Sequence, residues 1–365
     1  MLTRFDDYPI HQTPEPVAQP CSGDRNFYDR YFFNGWAPDG EFFFGVAMGL
    51  YPNRRVMDAA FSLVRDGRQL SVRASRLAPV ERAETRVGPM SIEVVEPLRV
   101  LRVRVDRTAL GIDATLTFTA RGPVVEEPRF TYKPEGRVLM DLTRLTQFGT
   151  WSGTIAVAGT TLAIDDARVR GCRDRSWGVR PVGEPEGGVP AMPPQFFWLW
   201  APVHFDDVCT HFDVNEDGAG RQWHANGMLV PTGTDDVSRI ESMVSVAHRV
   251  RWQRGTRRAE TAEITLTPLA GAPRVITFEP LLTFQMRGLG YLDPEFGHGT
   301  WRGAEALDEQ EWKLAALDPM DPRHLHVQQL CGTRMGERRG TGVLEQLVLG
   351  PHAPSGFRSI LDPAS

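Results

Sequence analysis

The hydrophobic pattern of this chain repeats every two residues, and that period constrains its fold more than any other feature. Ile112-Asp113-Ala114-Thr115-Leu116-Thr117-Phe118-Thr119 alternates without a break, and Leu101-Arg102-Val103-Arg104-Val105-Asp106 does the same. Glu263-Ile264-Thr265-Leu266-Thr267 and Arg274-Val275-Ile276-Thr277-Phe278 repeat the pattern later in the chain. In an extended strand successive side chains point to opposite faces, so each segment has one apolar and one polar face, as a half-buried antiparallel strand requires. Asp66-Gly67 stands between Phe61-Ser62-Leu63-Val64 and Leu70-Ser71-Val72, a hairpin signal. Asp217-Gly218 and Gly159 mark further turns. Many short strands broken by Gly and Pro predict an all-β protein of sandwich or barrel type. Helical patterning is scarce; residues 304–317 offer the best candidate helix, with Asp308 and Trp312 off its stripe.

At 365 residues the chain is long for one domain and suits two of roughly 150–200 residues. Residues 181–194 are rich in Gly and Pro and carry no period, which reads as a linker or long loop. The expected domains are therefore 1–185 and 186–365. The run Gln195-Phe196-Phe197-Trp198-Leu199-Trp200-Ala201-Pro202 is continuously apolar and suits a strand buried on both faces, one able to line a cavity.

Several function classes drop out. A net charge of −5 gives no electrostatic case for nucleic acid. No stretch approaches the roughly 20 apolar residues of a membrane span. Acids and prolines occupy the first twenty residues where a signal peptide would be apolar, so the cytoplasm is the expected compartment. Cys21, Cys172, Cys209 and Cys331 lie far apart, which predicts buried free thiols. There is no phosphate-binding glycine loop and no Gly-x-Ser-x-Gly elbow, and no cofactor is expected.

One short motif occurs twice. Gly171-Cys172-Arg173-Asp174-Arg175-Ser176-Trp177-Gly178 and Gly290-Tyr291-Leu292-Asp293-Pro294-Glu295-Phe296-Gly297 both fit Gly-x-x-Asp-x-x-aromatic-Gly. One copy in each half suggests an internal duplication.

Through residues 171–178 the chain resembles the carotenoid 1,2-hydratase (hydroxyneurosporene synthase) and AttH-like group. Trp151-Ser152-Gly153-Thr154-Ile155 is similar to that group's preceding strand. Gly340-Thr341-Gly342-Val343-Leu344-Glu345-Gln346 is similar to its closing segment, with Val343 in place of a Tyr, and Trp301-Arg302-Gly303 resembles the Trp-x-Gly before it. The resemblance implies two tandem lipocalin-like antiparallel β-barrel or sandwich domains. It also implies an apolar site in which an aspartic acid, here Asp174, protonates an alkene and water captures the cation. Trp177, Trp198 and Trp200 would face that cation, with Trp151, His204 and Glu345 completing the substrate lining. This chain departs from the group at Cys172, where an aromatic residue is usual. Gln147, Phe148 and Trp151 are the nearest positions to the group's His and Trp on the preceding strand.

The residues leave alternatives at each position. Such an acid must be desolvated to stay protonated, yet Arg173 and Arg175 flank Asp174 and would hold it ionised as a structural tie. In the second copy Tyr291, Asp293 and His298 suit an acid/base set; a strand would put Tyr291 and Asp293 on one face. The other reading is a tight turn capped by Asp293. His204, Asp206, His211 and Asp213, with His224, are a possible zinc or iron set or solvated turn residues. His324 and His326 are a same-face pair open to the same two readings, and no metal is expected. Two functions follow: an acid/base enzyme (hydratase, dehydratase, isomerase or cyclase) on a hydrophobic terpenoid- or polyketide-like substrate, or a carrier for a lipid, steroid or fatty acid. A purely structural domain pair is the third.

Overall fold

The computed structural model describes residues 1–185 and 195–365; most of the expected linker, residues 186–194, lies outside them. The chain is all-β, as the alternation predicts. Its strands form two antiparallel sheets, one closed and one strongly curled.

The curled sheet runs from Glu305–Lys313 at one edge through Arg68–Leu77, Val56–Arg65, Phe42–Tyr51, Phe27–Trp36, Arg170–Val179 and Met140–Val157. It continues through Asp113–Ala120, Val100–Val105 and Met90–Glu96 to Arg86–Val87. The Asp66-Gly67 hairpin is present, with Arg65 opposite Arg68. Phe33, Phe44, Phe61, Leu116, Phe118 and Trp151 fill the inside of the curl. The first glycine of the motif serves this core, since a Cβ on Gly171 would stand 2.3 Å from Trp151 Nε1 and 2.3 Å from the Asn34 carbonyl oxygen.

Glu305–Lys313 corrects the candidate helix at 304–317. It is an edge strand, and Asp308 and Trp312, misfits on a helical stripe, share one face with Ala306 and Gln310. Asp308 meets Arg73, and Trp312 lies under the Arg287 guanidinium at 5.2 Å. The strand comes from the second half of the chain and completes the sheet of the first.

The closed sheet contains nine strands, of which Phe196–Trp200 and Val203–His204 share one position between Val208–Glu216 and Arg338–Leu349. Pairing of Val208–Glu216 with Gln222–Pro231 closes the barrel. Its interior is filled by Phe197, Leu199, Phe212, Ile264, Phe278 and Leu344. Glu216 adds a polar anchor there, accepting from His248 at 3.0 Å and His352 at 2.9 Å. A third apolar cluster, including Phe32, Trp36, Phe43, Trp200, Phe284 and Val343, lies between the outer faces of the two sheets.

Candidate functional site

A large cavity opens in this intersheet layer, outside the barrel, and measures about 1170 Å³. Register decides what faces it. Asp174 pairs with Phe32 on one side and Thr146 on the other. The even positions of three neighbouring strands therefore share a face, bringing Tyr28, Arg30, Phe32, Arg144, Asp174 and Ser176 to the cavity wall. Opposite them the apolar run of the barrel splits by parity. Phe197 and Leu199 enter the barrel core, while Trp198 and Trp200 turn out over the cavity. Tyr291, His298, His326 and Glu345 complete the polar wall.

Asp174 reaches no hydrogen-bond or ion-pair partner among the described residues. Burial raises its carboxyl to about 7, and the charges of Glu127 and Glu345 push the same way against Arg144 and Arg30. The expected tie to Arg173 and Arg175 is absent because odd positions face the other side of the strand. Arg173 Nε donates to Gln147 Oε1 at 2.8 Å, and Arg175 pairs with Asp29 over the Tyr31 ring. Trp177 shares that odd face and is 40% exposed, so it does not face the cavity.

Glu345 is the opposite kind of carboxyl. Burial pushes it up, but hydrogen bonds from His326 Nε2 (2.7 Å), Gln328 Nε2 (2.6 Å) and Trp198 Nε1 (3.1 Å) outweigh burial and hold it below the ordinary value. The bond to Glu345 puts the His326 proton on Nε2. Its buried Nδ1 has no hydrogen-bond partner among the described residues.

The second motif copy is not a strand. Residues 290–297 form a turn in which Gly290 (φ 91°) and Leu292 (φ 54°) are left-handed. Asp293 caps it, accepting from the backbone of Glu295 and Phe296 at 2.9 and 2.7 Å. Its other oxygen meets Arg73 at 2.6 Å and Arg287 at 2.9 Å. Burial opposes ionisation, yet these partners hold the group at about 2. Asp293 is thus a fastener, while Tyr291 and His298 reach the cavity. The Tyr291 hydroxyl accepts from Arg30 at 2.8 Å, and its ring stands edge-on to His298 and His326. His298 stands between two arginines, its Nε2 2.8 Å from Arg30 and 2.9 Å from the Leu289 carbonyl oxygen, and its Nδ1 3.1 Å from Arg180. Burial and the two arginines push it well below the usual histidine value, leaving it neutral. With one copy a strand and the other a turn, the motif does not repeat as structure.

A family model matches residues 2–358. The chain belongs to DUF8625, a family of unknown function. No curated protein matches it. Among solved structures it is similar to an AttH-like protein from Nitrosomonas europaea, with a TM-score of 0.55 and 15% identity over 88% of this chain and 92% of that one. Kievitone hydratase from Nectria haematococca gives a TM-score of 0.55 and 13% identity over 87% and 88%. CghA with Sch210972 gives 0.51 and 11% over 89% of each chain. At these identities the likeness is one of fold, and the fold is the lipocalin-like one that the resemblance implied.

Other expected site residues fall elsewhere. Trp151 is fully buried inside the curl and donates to the Asn34 carbonyl at 2.9 Å. His204, kept neutral by burial, donates to the Gly171 carbonyl at 3.0 Å and accepts from Arg121 at 2.9 Å. Asp206 sits in an exposed turn. His211 and Asp213, by contrast, are wholly buried and form a network with Glu127. These three place ligand-type atoms within 4.8 Å of one another. Arg144 already bridges the two carboxylates, at 2.5 Å from Glu127 and 3.1 Å from Asp213, and His224 donates to Asp213 at 2.8 Å. This network fixes Arg144 under Trp198, beside Asp174. His324 turns away from His326 and bonds the Asp318 carbonyl at 3.0 Å. Cys172 is buried, with its thiol pushed well up by burial, and is unreactive.

Sequence reasoning missed Arg30, Arg144 and Arg180 and did not give His326 an acid/base role. For Arg30 a signal existed. Tyr28-x-Arg30-x-Phe32-x-Asn34-x-Trp36 sets a cation inside an aromatic face, which a strand buries only beside a polar site.

Proposed function

We propose that this chain is an acid/base enzyme that needs no cofactor and acts on a hydrophobic small molecule in the intersheet cavity, with Asp174 as the general acid. One observation carries the reading. An untied carboxyl, raised to about 7 by burial, faces a cavity walled by aromatic rings. A carboxyl of that kind holds a proton near neutral pH and delivers it to an alkene or enol carbon. The Phe32, Trp198 and Trp200 faces favour the positive charge that protonation develops. His326, oriented by Glu345, is the matching base, and its Nδ1 accepts the proton of an attacking water or of the substrate. Hydration and isomerisation both fit this pair, and kievitone hydratase, a hydratase of the same fold, supports the first. A terpenoid- or polyketide-like body suits the lining.

The test is a comparison of wild type with Asp174→Asn, each incubated with a fractionated small-molecule extract and followed by mass spectrometry. Wild type forms a product that differs from its precursor by one water or not at all in mass, and Asp174→Asn forms none while retaining the precursor within a few-fold of wild-type affinity. Retention of an unchanged ligand by both proteins identifies a carrier instead.

A further inference from the structure

The buried and half-buried arginines of this protein divide into two kinds. Arg73 meets Asp293 and Asp308, Arg144 meets Glu127 and Asp213, and Arg257 meets Asp362. Arg30, Arg173 and Arg180 have no carboxylate partner among the described residues; Arg173 faces away from the cavity and donates to Gln147, whereas Arg30 and Arg180 stand on the cavity wall. Arg30 is 2% exposed, and the acceptors within its reach are neutral: the Tyr291 hydroxyl at 2.8 Å, the His298 ring at Nε2 at 2.8 Å and the Leu289 carbonyl at 3.3 Å. Arg180 lies 3.1 Å from Nδ1 of the same neutral His298 ring and over the Tyr28 ring at 4.7 Å. Each keeps a buried Nε with no hydrogen-bond partner. The carboxylate of Asp58, near Arg30, is committed to the Tyr51 hydroxyl and the Gly299 amide.

Burying a cation without a counter-ion is costly, and natural structures rarely leave one so. Two such cations on one cavity wall, held by a neutral imidazole bonded to Arg180 and a phenol bonded to Arg30, make a preorganised anion seat. We propose that the substrate is amphipathic, with an ionised oxygen (carboxylate or enolate) seated at Arg30 and Arg180 and an apolar body along Phe32, Phe130, Trp198 and Trp200. The register adds a constraint on where reaction occurs. Arg30 lies two residues from Phe32, the partner of Asp174, so Arg30 and Asp174 are diagonal neighbours about 7–8 Å apart. The proton of Asp174 thus arrives several bonds away from the seated oxygen.

This inference rests on the cavity being the substrate site but not on Asp174 being an acid, so binding alone tests it. The probes are naphthalene-2-acetate and the ionised enol of 2-octanoylcyclohexane-1,3-dione, each paired with its O-methyl derivative and followed by quenching of tryptophan fluorescence. At least one anion binds wild type about ten-fold or more tightly than its methyl derivative, and the favoured pair assigns carboxylate or enolate. Arg180→Met and Arg30→Met erase the preference, and Asp174→Asn keeps it even if it also keeps full turnover. Arg180 is the more exposed of the two and serves as the decisive variant if Arg30→Met fails to fold. Equal binding of anion and methyl derivative, failure of both anions to bind, or an unchanged preference in folded Arg180→Met overturns the proposal.

Discussion

A carboxyl in water gives up its proton near pH 4, whereas Asp174 keeps it to about 7. The sign of that shift has a consequence for stability. A folded state that binds the proton more tightly than the unfolded chain loses stability as pH rises from about 4 to about 7, and stays lower above that. Asp174→Asn removes the titration while keeping the shape. Its stability relative to wild type therefore climbs across that window to a gain of roughly 1–3 kcal/mol at pH 8. Urea midpoints at pH 4 and pH 8 check this, and an equal offset at both values contradicts it. The identity of Asp174 was legible from its motif, but its environment was not. Arg173 and Arg175 are its neighbours along the chain and turn away from it in space, while the groups that act on it, Arg144, Glu127, Arg30 and Glu345, come from segments distant in sequence.

Among the elements, the turn at residues 290–297 depends most on a single tie. It carries Tyr291 and His298 to the cavity and is pinned through Asp293 to Arg73, whose side chain is 2% exposed on the strand Arg68–Leu77. Removing one partner of a buried ion pair costs about 3–5 kcal/mol, and Asp308 remains as a second partner for Arg73. Asp293→Ala is therefore expected to destabilise the protein toward the lower end of that range, read from the urea midpoint, and to lower turnover by displacing the turn. A loss below about 0.5 kcal/mol contradicts the tie. Strands were legible wherever parity was clean, and the apolar run at residues 196–202 divides between barrel core and cavity as its continuous hydrophobicity implies. The second motif copy misled because eight residues with permissive glycines fit a strand or a turn equally well. The strand Glu305–Lys313 was missed because its pattern is mostly polar and gains its meaning from the edge it covers.

At the scale of the molecule, the two sheets share their chain, since Glu305–Lys313 follows most of the barrel strands and then completes the curled sheet. That crossing and the apolar layer between the sheets bring the barrel's outer tryptophans against the strand that carries Asp174. The barrel interior, where a lipocalin-like fold suggests a ligand cavity, is filled by side chains, and the cavity lies outside it. One sequence could not reveal this, because intersheet packing depends on which outer faces meet and leaves no period behind. Desolvation of Asp174 is thus a product of the whole assembly. The direct measurement is the pH titration of the Asp174 carboxyl carbon by 13C NMR, assigned by its loss in Asp174→Asn. A midpoint near 7 is the predicted result, and a midpoint at or below about 4 contradicts it.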